Sequence, residues 1–243
     1  MTMKHLLITG GSKGIGNGLA LRFKAEGYTI WSFARSTNEI LAEENQITCD
    51  LTNLKEAEET FSKTLAKILA ESPQEIVLIN NAGTLGTVDR LENNSVDSID
   101  TAIRLNLSVP MALTAIFIKK LEEADLKKEI INISSGAAVS PYYGWSTYCS
   151  SKAAVDMFTQ VVAKEQETAS YPVRILSIYP GIVDTNMQTE IRSRNKEQFE
   201  LIDKFIESKE QNLLSSPAEA ANAVYELFAD SSLKSGEITD VRS

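Results

Sequence analysis

Histidine and cysteine are scarce in this chain of 243 residues, which contains one histidine, His5, and two cysteines, Cys49 and Cys149. A catalytic triad that needs histidine therefore has a single candidate, and that residue lies inside the first apolar run. The two cysteines are far apart and lack the close spacing of zinc ligands, so we expect no metal site. We predict free thiols in a reducing, cytoplasmic environment.

Positive charge and long apolar runs are also in short supply. The chain has 24 Lys and Arg against 33 Asp and Glu, a formal net charge of −9, which disfavours nucleic acid or an anionic membrane as a partner. No apolar stretch of about 18 residues stands out, so we expect no membrane span. The first apolar run, in MTMKHLLITGG, is too short for a signal peptide.

The sequence does contain a regular alternation of short apolar runs and longer amphipathic runs. The predicted strands are His5–Thr9, Thr29–Phe33, Gln46–Cys49, Ile76–Ile79, Ile130–Ile133, Val173–Ile178 and a short one near Glu237–Val241. The predicted helices are Ile15–Glu26, Leu54–Ala70, Val96–Leu121, Ser146–Thr168 and Pro217–Phe228. This alternation predicts one α/β domain over residues 1–243, with a parallel sheet of about seven strands between two layers of helices.

Residues 184–214 form an unusually long connection for a compact α/β domain. The segment is polar, but it carries apolar residues spaced for one face of a helix: Ile191, Phe199, Ile202, Phe205 and Ile206. Long insertions of this kind in α/β enzymes are often lids, so we predict a substrate lid here.

A glycine-rich loop, Thr9-Gly10-Gly11-Ser12-Lys13-Gly14-Ile15-Gly16, joins the first strand to the first helix. Glycines permit a tight turn there, and the N-terminus of the helix offers free N–H groups to a pyrophosphate. The order of strand, loop and helix favours a dinucleotide-binding loop over the alternative of a plain glycine-rich turn.

The second strand ends in Ala34, Arg35 and Ser36, where an NAD enzyme usually carries an acidic residue. Arg35 instead suits the 2′-phosphate of NADP, with Lys13 as a second cation, unless Arg35 is only a solvated surface residue. Asp50 follows the third strand. It is a candidate for binding the adenine amine or, alternatively, for capping the helix that follows.

Tyr148 and Lys152 are four residues apart and so share one face of a predicted helix. An ammonium beside a phenol favours the phenolate, so we expect Lys152 to lower the pKa of Tyr148 and to make it a proton donor usable near neutral pH. Ser135 lies thirteen residues before the tyrosine and is a second hydroxyl for the same substrate oxygen. Ser134 is expected on the opposite side of an extended chain.

Pro110 falls within a predicted helix and cannot donate to the carbonyl four residues back, which belongs to Asn106. The helix should therefore bend and leave that carbonyl free to hold a water. The alternative is that Pro110 merely kinks a packing helix.

Six blocks in order along the whole chain resemble the short-chain dehydrogenase/reductase family. They are Thr9 to Gly16, Asp50-Leu51, Asn80-Asn81-Ala82-Gly83 with Asn106, Ser135, Tyr148 with Lys152, and Pro180-Gly181-Ile182-Val183-Asp184-Thr185. The resemblance implies a doubly wound, Rossmann-type fold, a bound NAD(P)(H), and hydride transfer between the nicotinamide and a carbonyl or alcohol carbon.

The same resemblance assigns roles to individual residues. The implied catalytic set is Asn106, Ser135, Tyr148 and Lys152, with Asn106 in a water relay to the lysine. The implied cofactor residues are Gly10, Ser12, Lys13, Gly14, Ile15, Gly16, Arg35, Ser36, Asp50, Leu51, Asn81, Ala82, Gly83, Tyr148, Lys152, Pro180, Gly181, Val183 and Thr185. The implied substrate residues are Ser135, Tyr148, Gly181 and Asp240.

Within the family, the runs Ile131–Ser135 and Gly144–Cys149 look like those of sepiapterin reductases and bacterial benzil-type diketone reductases. In the former group an aspartate near the C-terminus anchors the pterin, which implies that role for Asp240; the alternative is an ordinary carboxylate at a strand end. Tyr142, Tyr143 and Trp145 either line an aromatic pocket or only pack. Family members usually pair through the helices that hold Asn106 and Tyr148, which implies a homodimer or homotetramer.

These expectations point to an NADPH-dependent reductase of a ketone, diketone or aldehyde, with Tyr148 as general acid. Two alternatives remain open. One is an NAD(P)⁺-dependent alcohol dehydrogenase, and the other is a non-catalytic dinucleotide-binding protein on the same fold.

Overall fold

The computed structural model of the protein describes residues 3–243, without the side chain of Glu44. Seven strands form one sheet in the order β3-β2-β1-β4-β5-β6-β7, and every neighbouring pair is parallel. The strands are β1 (Lys4–Thr9), β2 (Tyr28–Ala34), β3 (Gln46–Thr48), β4 (Glu75–Asn80), β5 (Lys127–Ile133), β6 (Arg174–Tyr179) and β7 (Ile238–Asp240). The predicted doubly wound fold is confirmed.

Helices cover both faces of the sheet. They are α1 (Gly14–Ala25), α2 (Leu54–Ala70), α3 (Val96–Ile103), α4 (Val109–Lys120), α5 (Ser146–Gln166), α6 (Asn186–Arg192), α7 (Ile202–Glu210) and α8 (Pro217–Ala229). The helices α2, α4 and α5 bury their apolar residues against one face, and α1 and α8 bury theirs against the other. Because both faces are covered, the central strands contain runs of apolar residues such as Ile76–Ile79.

The strand order reverses between β1 and β4, and their carboxyl ends border the crevice where open α/β sheets bind ligands. The hydroxyl of Thr9, at the end of β1, accepts hydrogen bonds from the backbone N–H groups of Asn81 at 2.9 Å and Ala82 at 3.0 Å. The side chain of Asn81 in turn donates to the carbonyl of Thr9 at 3.0 Å. These bonds fix the loop after β4 against the glycine loop after β1.

The start of β5 differs from the prediction by three residues. The strand begins at Lys127 because Lys128 and Glu129, although charged, are buried in it. The ammonium of Lys128 donates to the carbonyls of Leu121 and Ala124, and Glu129 pairs with Arg174. Buried charges with such partners are not visible in a search for apolar runs.

The predicted helix Val96–Leu121 is divided by a π-helical turn over Arg104–Ser108. In this turn the N–H of Val109 donates to the carbonyl of Arg104, five residues back. Pro110, which has no N–H to offer the carbonyl of Asn106, stands at the start of α4. The helix is therefore irregular at Asn106 through a π turn, while a bend that frees the Asn106 carbonyl stays a prediction.

The run Val96–Lys120 is also the one helix, within the part of the chain that the structure describes, long and apolar enough to cross a membrane by length and composition alone. The prediction that no stretch is apolar enough to span a membrane missed this run, because polar residues interrupt it. The side chains of Val109, Leu113 and Phe117 are buried against the sheet, and this packing accounts for the apolar composition of the run.

The segment 184–214 contains α6 and α7, and its two ends are hydrogen-bonded together. The N–H of Asp184 donates to the carbonyl of Ser215 at 2.9 Å, and the N–H of Ser215 donates to the carbonyl of Ile182 at 3.0 Å. Four of its predicted apolar residues are buried in one cluster: Ile191, Phe199, Ile202 and Phe205. The prediction was wrong for Ile206, which is exposed, and for Phe199, which lies between the two helices.

Candidate active site

The glycine loop has the backbone that the sequence predicted. Gly10 and Gly14 have φ values of +69° and +53°, in the region that favours glycine, and a Cβ on Gly16 would lie 2.2 Å from the carbonyl oxygen of Gly10. At the start of α1, Lys13 makes no side-chain capping bond, and the first turn has no acidic residue. The first N–H groups of α1 are thus free to meet an anion, so the loop fits a pyrophosphate.

The loops after β1, β2 and β3 meet at one edge of the crevice. The hydroxyls of Ser12 and Ser36 are 3.0 Å apart, while Lys13 and Arg35 are both exposed. Hydrogen bonds from Thr52, and secondarily the charge of Arg35, lower the pKa of Asp50. The alternative role of Asp50 as a helix cap is wrong, because Asn53 caps α2.

Tyr148 and Lys152 lie one turn apart near the start of α5 and are both buried, with 7% and 6% of their surfaces exposed. The ammonium of Lys152 donates to the carbonyl oxygen of Ile133, at the end of β5, over 2.8 Å. Its nitrogen is 5.7 Å from the centre of the Tyr148 ring. The spacing of four residues therefore places both side chains at the carboxyl end of the sheet.

The pKa of Tyr148 departs from the prediction. Burial raises it to about 12, and only the neighbouring hydroxyl of Ser135 opposes that shift. Burial also lowers the pKa of Lys152 to about 8, against the opposing charge of Asp156. The predicted net lowering of the Tyr148 pKa is wrong, since exclusion from water penalises the phenolate by more than the neighbouring groups favour it. Tyr148 consequently keeps its proton at neutral pH.

Of the two adjacent serines, Ser135 is the one beside Tyr148. Its hydroxyl also accepts a hydrogen bond from the N–H of Ala137 at 3.2 Å. Ser134 is buried on the other side of the chain, where its hydroxyl lies 3.5 Å from the backbone carbonyl of Lys152. Ser135 is thus placed to share a substrate oxygen with Tyr148, whereas Ser134 is not.

Asn106, in the π turn, is joined to the same site through its side chain. The amide oxygen accepts from the N–H of Thr84 at 2.8 Å, and the amide nitrogen donates to the Thr84 carbonyl at 2.8 Å and the Ser151 hydroxyl at 3.1 Å. A Cβ on Gly83 would lie 3.2 Å from the Asn106 amide oxygen and 3.8 Å from the Lys152 nitrogen. The four predicted catalytic residues therefore converge, and the water relay through Asn106 stays a prediction.

Thr84 and Ser151 are positioning residues that our sequence analysis missed. Each of them holds the side chain of Asn106. Ser151 lies on α5 between Tyr148 and Lys152, and its hydroxyl also donates to the carbonyl of Tyr148 at 2.8 Å. No sequence signal marks these hydroxyls, since serine and threonine occur at many positions for other reasons.

The loop after β6 completes the border of the crevice. Gly181 has φ +76°, and Val183 is buried and bridged to Ser215. Thr185 approaches the glycine loop closely: a Cβ on Gly14 would lie 3.3 Å from the Thr185 methyl group. The predicted cofactor residues after β1 and β6 are therefore neighbours.

Asp240 stands at the end of β7, in register with Tyr179. Its carboxylate accepts hydrogen bonds from the backbone N–H of Arg242 at 2.9 Å and from the guanidinium of Arg242 at 2.8 and 2.6 Å. These bonds lower the pKa of Asp240. A substrate that uses this carboxylate would have to share it with Arg242.

An aromatic cluster from the loop before α5 and the segment 184–214 surrounds Tyr148. Trp145 is buried, stacks on Phe199 at 4.8 Å and meets Tyr148 edge-on at 5.4 Å. Tyr142 joins it at 5.1 Å, while Tyr143 is 43% exposed. The indole N–H of Trp145 is buried and has no hydrogen-bond partner among residues 3–243.

Two further features limit the chemistry. Within the described range 3–243, no three His, Cys, Asp or Glu side chains converge where they could hold a metal ion. His5 is buried near the amino end of β1, away from the crevice, where Nδ1 accepts a hydrogen bond from the indole of Trp31 at 3.2 Å. Burial lowers its pKa.

Comparison with known proteins agrees with this geometry. The family model of the short chain dehydrogenase matches residues 4–196. A benzil reductase ((S)-benzoin forming) from Bacillus cereus is 39% identical over 97% of this chain and 98% of its own length. Sepiapterin reductase from Mus musculus is 31% identical over 96% of this chain and 95% of its own. The crystal structure of the KRED1-Pglu enzyme superposes with a TM-score of 0.83, at 26% identity over 97% of this chain and all of that one. The chain belongs to the short-chain dehydrogenase/reductase family of oxidoreductases, which bind nicotinamide dinucleotides, and within it to the group of the benzil and sepiapterin reductases.

Proposed function

We propose that the protein is an NADPH-dependent reductase of ketone, diketone or aldehyde carbonyls, with Tyr148 as the general acid. The observation that carries the proposal is a buried tyrosine beside Ser135 and Lys152 at the carboxyl end of the sheet. The relatives named benzil reductase and sepiapterin reductase support the same class of reaction.

In the proposed reaction, different residues of the chain protonate the substrate oxygen, hydrogen-bond to it and stabilise the charge that results. When bound, the dinucleotide supplies the hydride that reduces the carbonyl carbon. Tyr148 transfers its phenolic proton to the oxygen on which negative charge develops, and Ser135 donates a hydrogen bond to the same atom. Lys152 contributes a positive charge that favours the phenolate left on Tyr148 and, by family resemblance, holds the nicotinamide ribose.

The relatives named benzil reductase and sepiapterin reductase favour reduction over the alternative of alcohol oxidation. The raised pKa of Tyr148 fits a group that carries its proton before reduction begins. The complete set of Asn106, Ser135, Tyr148 and Lys152 argues against a non-catalytic dinucleotide-binding protein.

The residues at the adenosine end fit NADPH better than NADH. Arg35 and Lys13 are exposed cations at the edge of the crevice, and no acidic residue stands at the end of β2, which reads Ala34, Arg35 and Ser36. An arginine forms charge-assisted hydrogen bonds with a 2′-phosphate, which NADH lacks. Asp50 is proposed to face the adenine amine.

For the substrate we propose a carbonyl compound with an aromatic ring, most simply an aryl diketone. Trp145, Tyr142, Phe199 and Phe205 supply aromatic surface around Tyr148. The buried indole N–H of Trp145 lacks a partner among the described residues, and a second carbonyl oxygen on the substrate would satisfy it. Benzil has two phenyl rings and two carbonyl groups.

The segment 184–214 is proposed to act as a lid over this substrate. Hydrogen bonds hold its two ends together, which would let the segment move as a unit, and Phe199 within it packs on Trp145 beside the site. A cytoplasmic homodimer or homotetramer is proposed as well. Met111 of α4 and Met157 and Val161 of α5 are exposed apolar side chains suited to the usual pairing surface of the family.

The proposal is tested by initial rates with NADPH and a panel of benzil-type diketones, aldehydes and a pterin, followed by loss of NADPH absorbance. We expect the highest kcat/KM for an aromatic diketone. Turnover only with alcohols and NAD(P)⁺ would favour the dehydrogenase. Cofactor binding without turnover of any compound would favour the non-catalytic alternative.

A further inference from the structure

Asp156 is a buried carboxylate that none of the roles above uses. It lies on α5, one turn after Lys152, and is 5% exposed. One carboxylate oxygen accepts from the hydroxyl of Ser177 at 2.6 Å, and the other accepts from the phenol of Tyr179 at 2.5 Å. Buried carboxylates are rare and are retained where a partner or a function compensates for the lost hydration.

Lys152 is the cation on the same face of α5. Residues four apart on a helix are neighbours on its surface, so the two side chains occupy adjacent turns. The ammonium of Lys152 donates to a neutral carbonyl, that of Ile133, and forms no salt bridge with the described side chains. Asp156 is the acidic group whose charge acts on Lys152.

We propose that Asp156 is a positioning residue that keeps Lys152 protonated, and that Ser177 and Tyr179 hold its carboxylate in place for this purpose. The inference rests on the proposed function, since it assigns Asp156 to the catalytic lysine. Asp156 would act on the reaction through Lys152, without contact with substrate.

Among the groups packed around Lys152, Asp156 is the one that carries a negative charge. On α5 the titratable neighbours are Tyr148, Cys149 and Asp156, and burial raises the pKa of Cys149 so that it stays neutral. β5 contributes the carbonyl of Ile133, and the π turn contributes the neutral amide of Asn106. From β6, the phenol of Tyr179 faces Asp156.

Two charged groups, Asp240 and Arg242, lie farther from Lys152 than the groups named above. Asp240 on β7 acts on Tyr179 and is paired with Arg242. Burial and the charge of Asp156 both raise the pKa of Tyr179, so it remains a neutral donor at working pH. Burial lowers the pKa of Lys152 to about 8, close enough to neutrality that loss of the opposing carboxylate would leave a large fraction of the lysine uncharged at working pH.

The arrangement also links the lysine to the cofactor loop. Tyr179 is the last residue of β6 and directly precedes Pro180 and Gly181. Its bond to Asp156 therefore joins the helix that carries Lys152 to the strand from which that loop begins. A change at Asp156 alone removes charge, whereas a change at Tyr179 alone removes a hydrogen bond.

The test compares Asp156→Asn with Tyr179→Phe. Asparagine has nearly the shape of aspartate and can bond to both hydroxyls, but it carries no charge. The titration of Lys152 is followed by NMR of lysines labelled at Cε, in the protein without cofactor, with the resonance assigned by its loss in Lys152→Met. Asp156→Asn should lower the Lys152 midpoint by about one pH unit, the lower range for loss of a nearby opposite charge. The alkaline limb of kcat/KM should move by the same amount.

Tyr179→Phe retains the carboxylate and should leave the midpoint within about 0.3 unit of the wild type, a small fraction of the effect of a nearby charge. An unchanged midpoint in Asp156→Asn, or an equal shift in Tyr179→Phe, would overturn the inference. Should Asp156→Asn fail to fold, the same NMR titration is made on Asp156→Thr, with the same two outcomes. Because the NMR readout needs no turnover, a failure of the proposed function would appear separately, as retained activity in Lys152→Met.

Discussion

The ammonium of Lys152 donates a hydrogen bond to the carbonyl oxygen of Ile133 over 2.8 Å, at the carboxyl end of β5. The same nitrogen would lie 3.8 Å from a Cβ on Gly83 and is 5.7 Å from the centre of the Tyr148 ring. In the protein without cofactor, burial therefore acts on the two residues in different ways. It keeps the proton on Tyr148, and it disfavours the positive charge on Lys152.

Because burial disfavours the charge of Lys152, we predict that replacing this lysine by methionine makes the folded protein more stable. Folding lowers the pKa of Lys152 from 10.5 to about 8. Below pH 8 the buried lysine is charged and destabilises the folded state. This destabilisation decreases as the pH rises from 8 towards 10.5, because the folded protein then holds the lysine uncharged. Lys152→Met should raise the free energy of unfolding at pH 7 by roughly 1–3 kcal/mol, after the lost bond to Ile133 is included. Activity should be lost.

Urea denaturation of the wild type and Lys152→Met from pH 6 to pH 10 measures this. The difference between the two should shrink as the pH rises above 8. A variant that is less stable than the wild type at pH 7, or a difference that is constant with pH, would contradict the account of Lys152.

Replacement of Arg35 by aspartate should reverse the preference between the cofactors. The carboxylate repels a 2′-phosphate and accepts from a ribose 2′-hydroxyl, so the Kd for NADPH should rise by about tenfold or more while that for NADH changes little or falls. Fluorescence titration of both cofactors measures the ratio. Lys63→Asp is the matched control, with the same charge change on the exposed side of α2. An unchanged ratio in Arg35→Asp, or an equal change in the control, would refute the assignment.

Removal of the Phe199 ring should loosen the segment 184–214. Phe199 is fully buried and stacks on Trp145, so Phe199→Ala leaves a cavity beside Trp145. We expect KM for an aromatic diketone to rise by about tenfold or more, as for other losses of an apolar contact in a substrate pocket, with faster proteolysis within 184–214. Ile206→Ala, in the same segment but exposed, is the control and should change neither. Equal behaviour of the two variants would remove the proposed lid.

Asp240 distinguishes a pterin substrate from a diketone. If its carboxylate anchors a pterin, Asp240→Asn should raise KM for sepiapterin by about tenfold and leave KM for benzil nearly unchanged, since a charge-assisted bond is worth about 1.5–3 kcal/mol. Steady-state kinetics with both compounds measures this. An equal effect on both substrates would instead assign Asp240 a structural role through its pairing with Arg242.

The sequence predicted the sheet well because strands buried on both faces are nearly all apolar, as in Glu75–Asn80. It predicted the members of the site because the family motifs fix both residue type and spacing. The sequence did not predict the features that depend on burial. The pattern does not reveal that Lys128 and Glu129 are part of β5. It also does not reveal that exclusion from water reverses the expected pKa shift of Tyr148. The seating of Phe199 on Trp145 likewise depends on contacts between distant parts of the chain.

The most direct test of the central claim is the NADPH-dependent reduction of an aromatic diketone by Tyr148→Phe. The variant lacks only the phenolic oxygen, so the buried ring keeps its packing against Trp145. Loss of a general acid of this kind costs on the order of 10²–10⁴ in rate. We predict that kcat falls by at least that lower bound while fluorescence titration gives an unchanged Kd for NADPH. Turnover within about threefold of the wild type, far short of the loss of a general acid, would show that Tyr148 is not the proton donor.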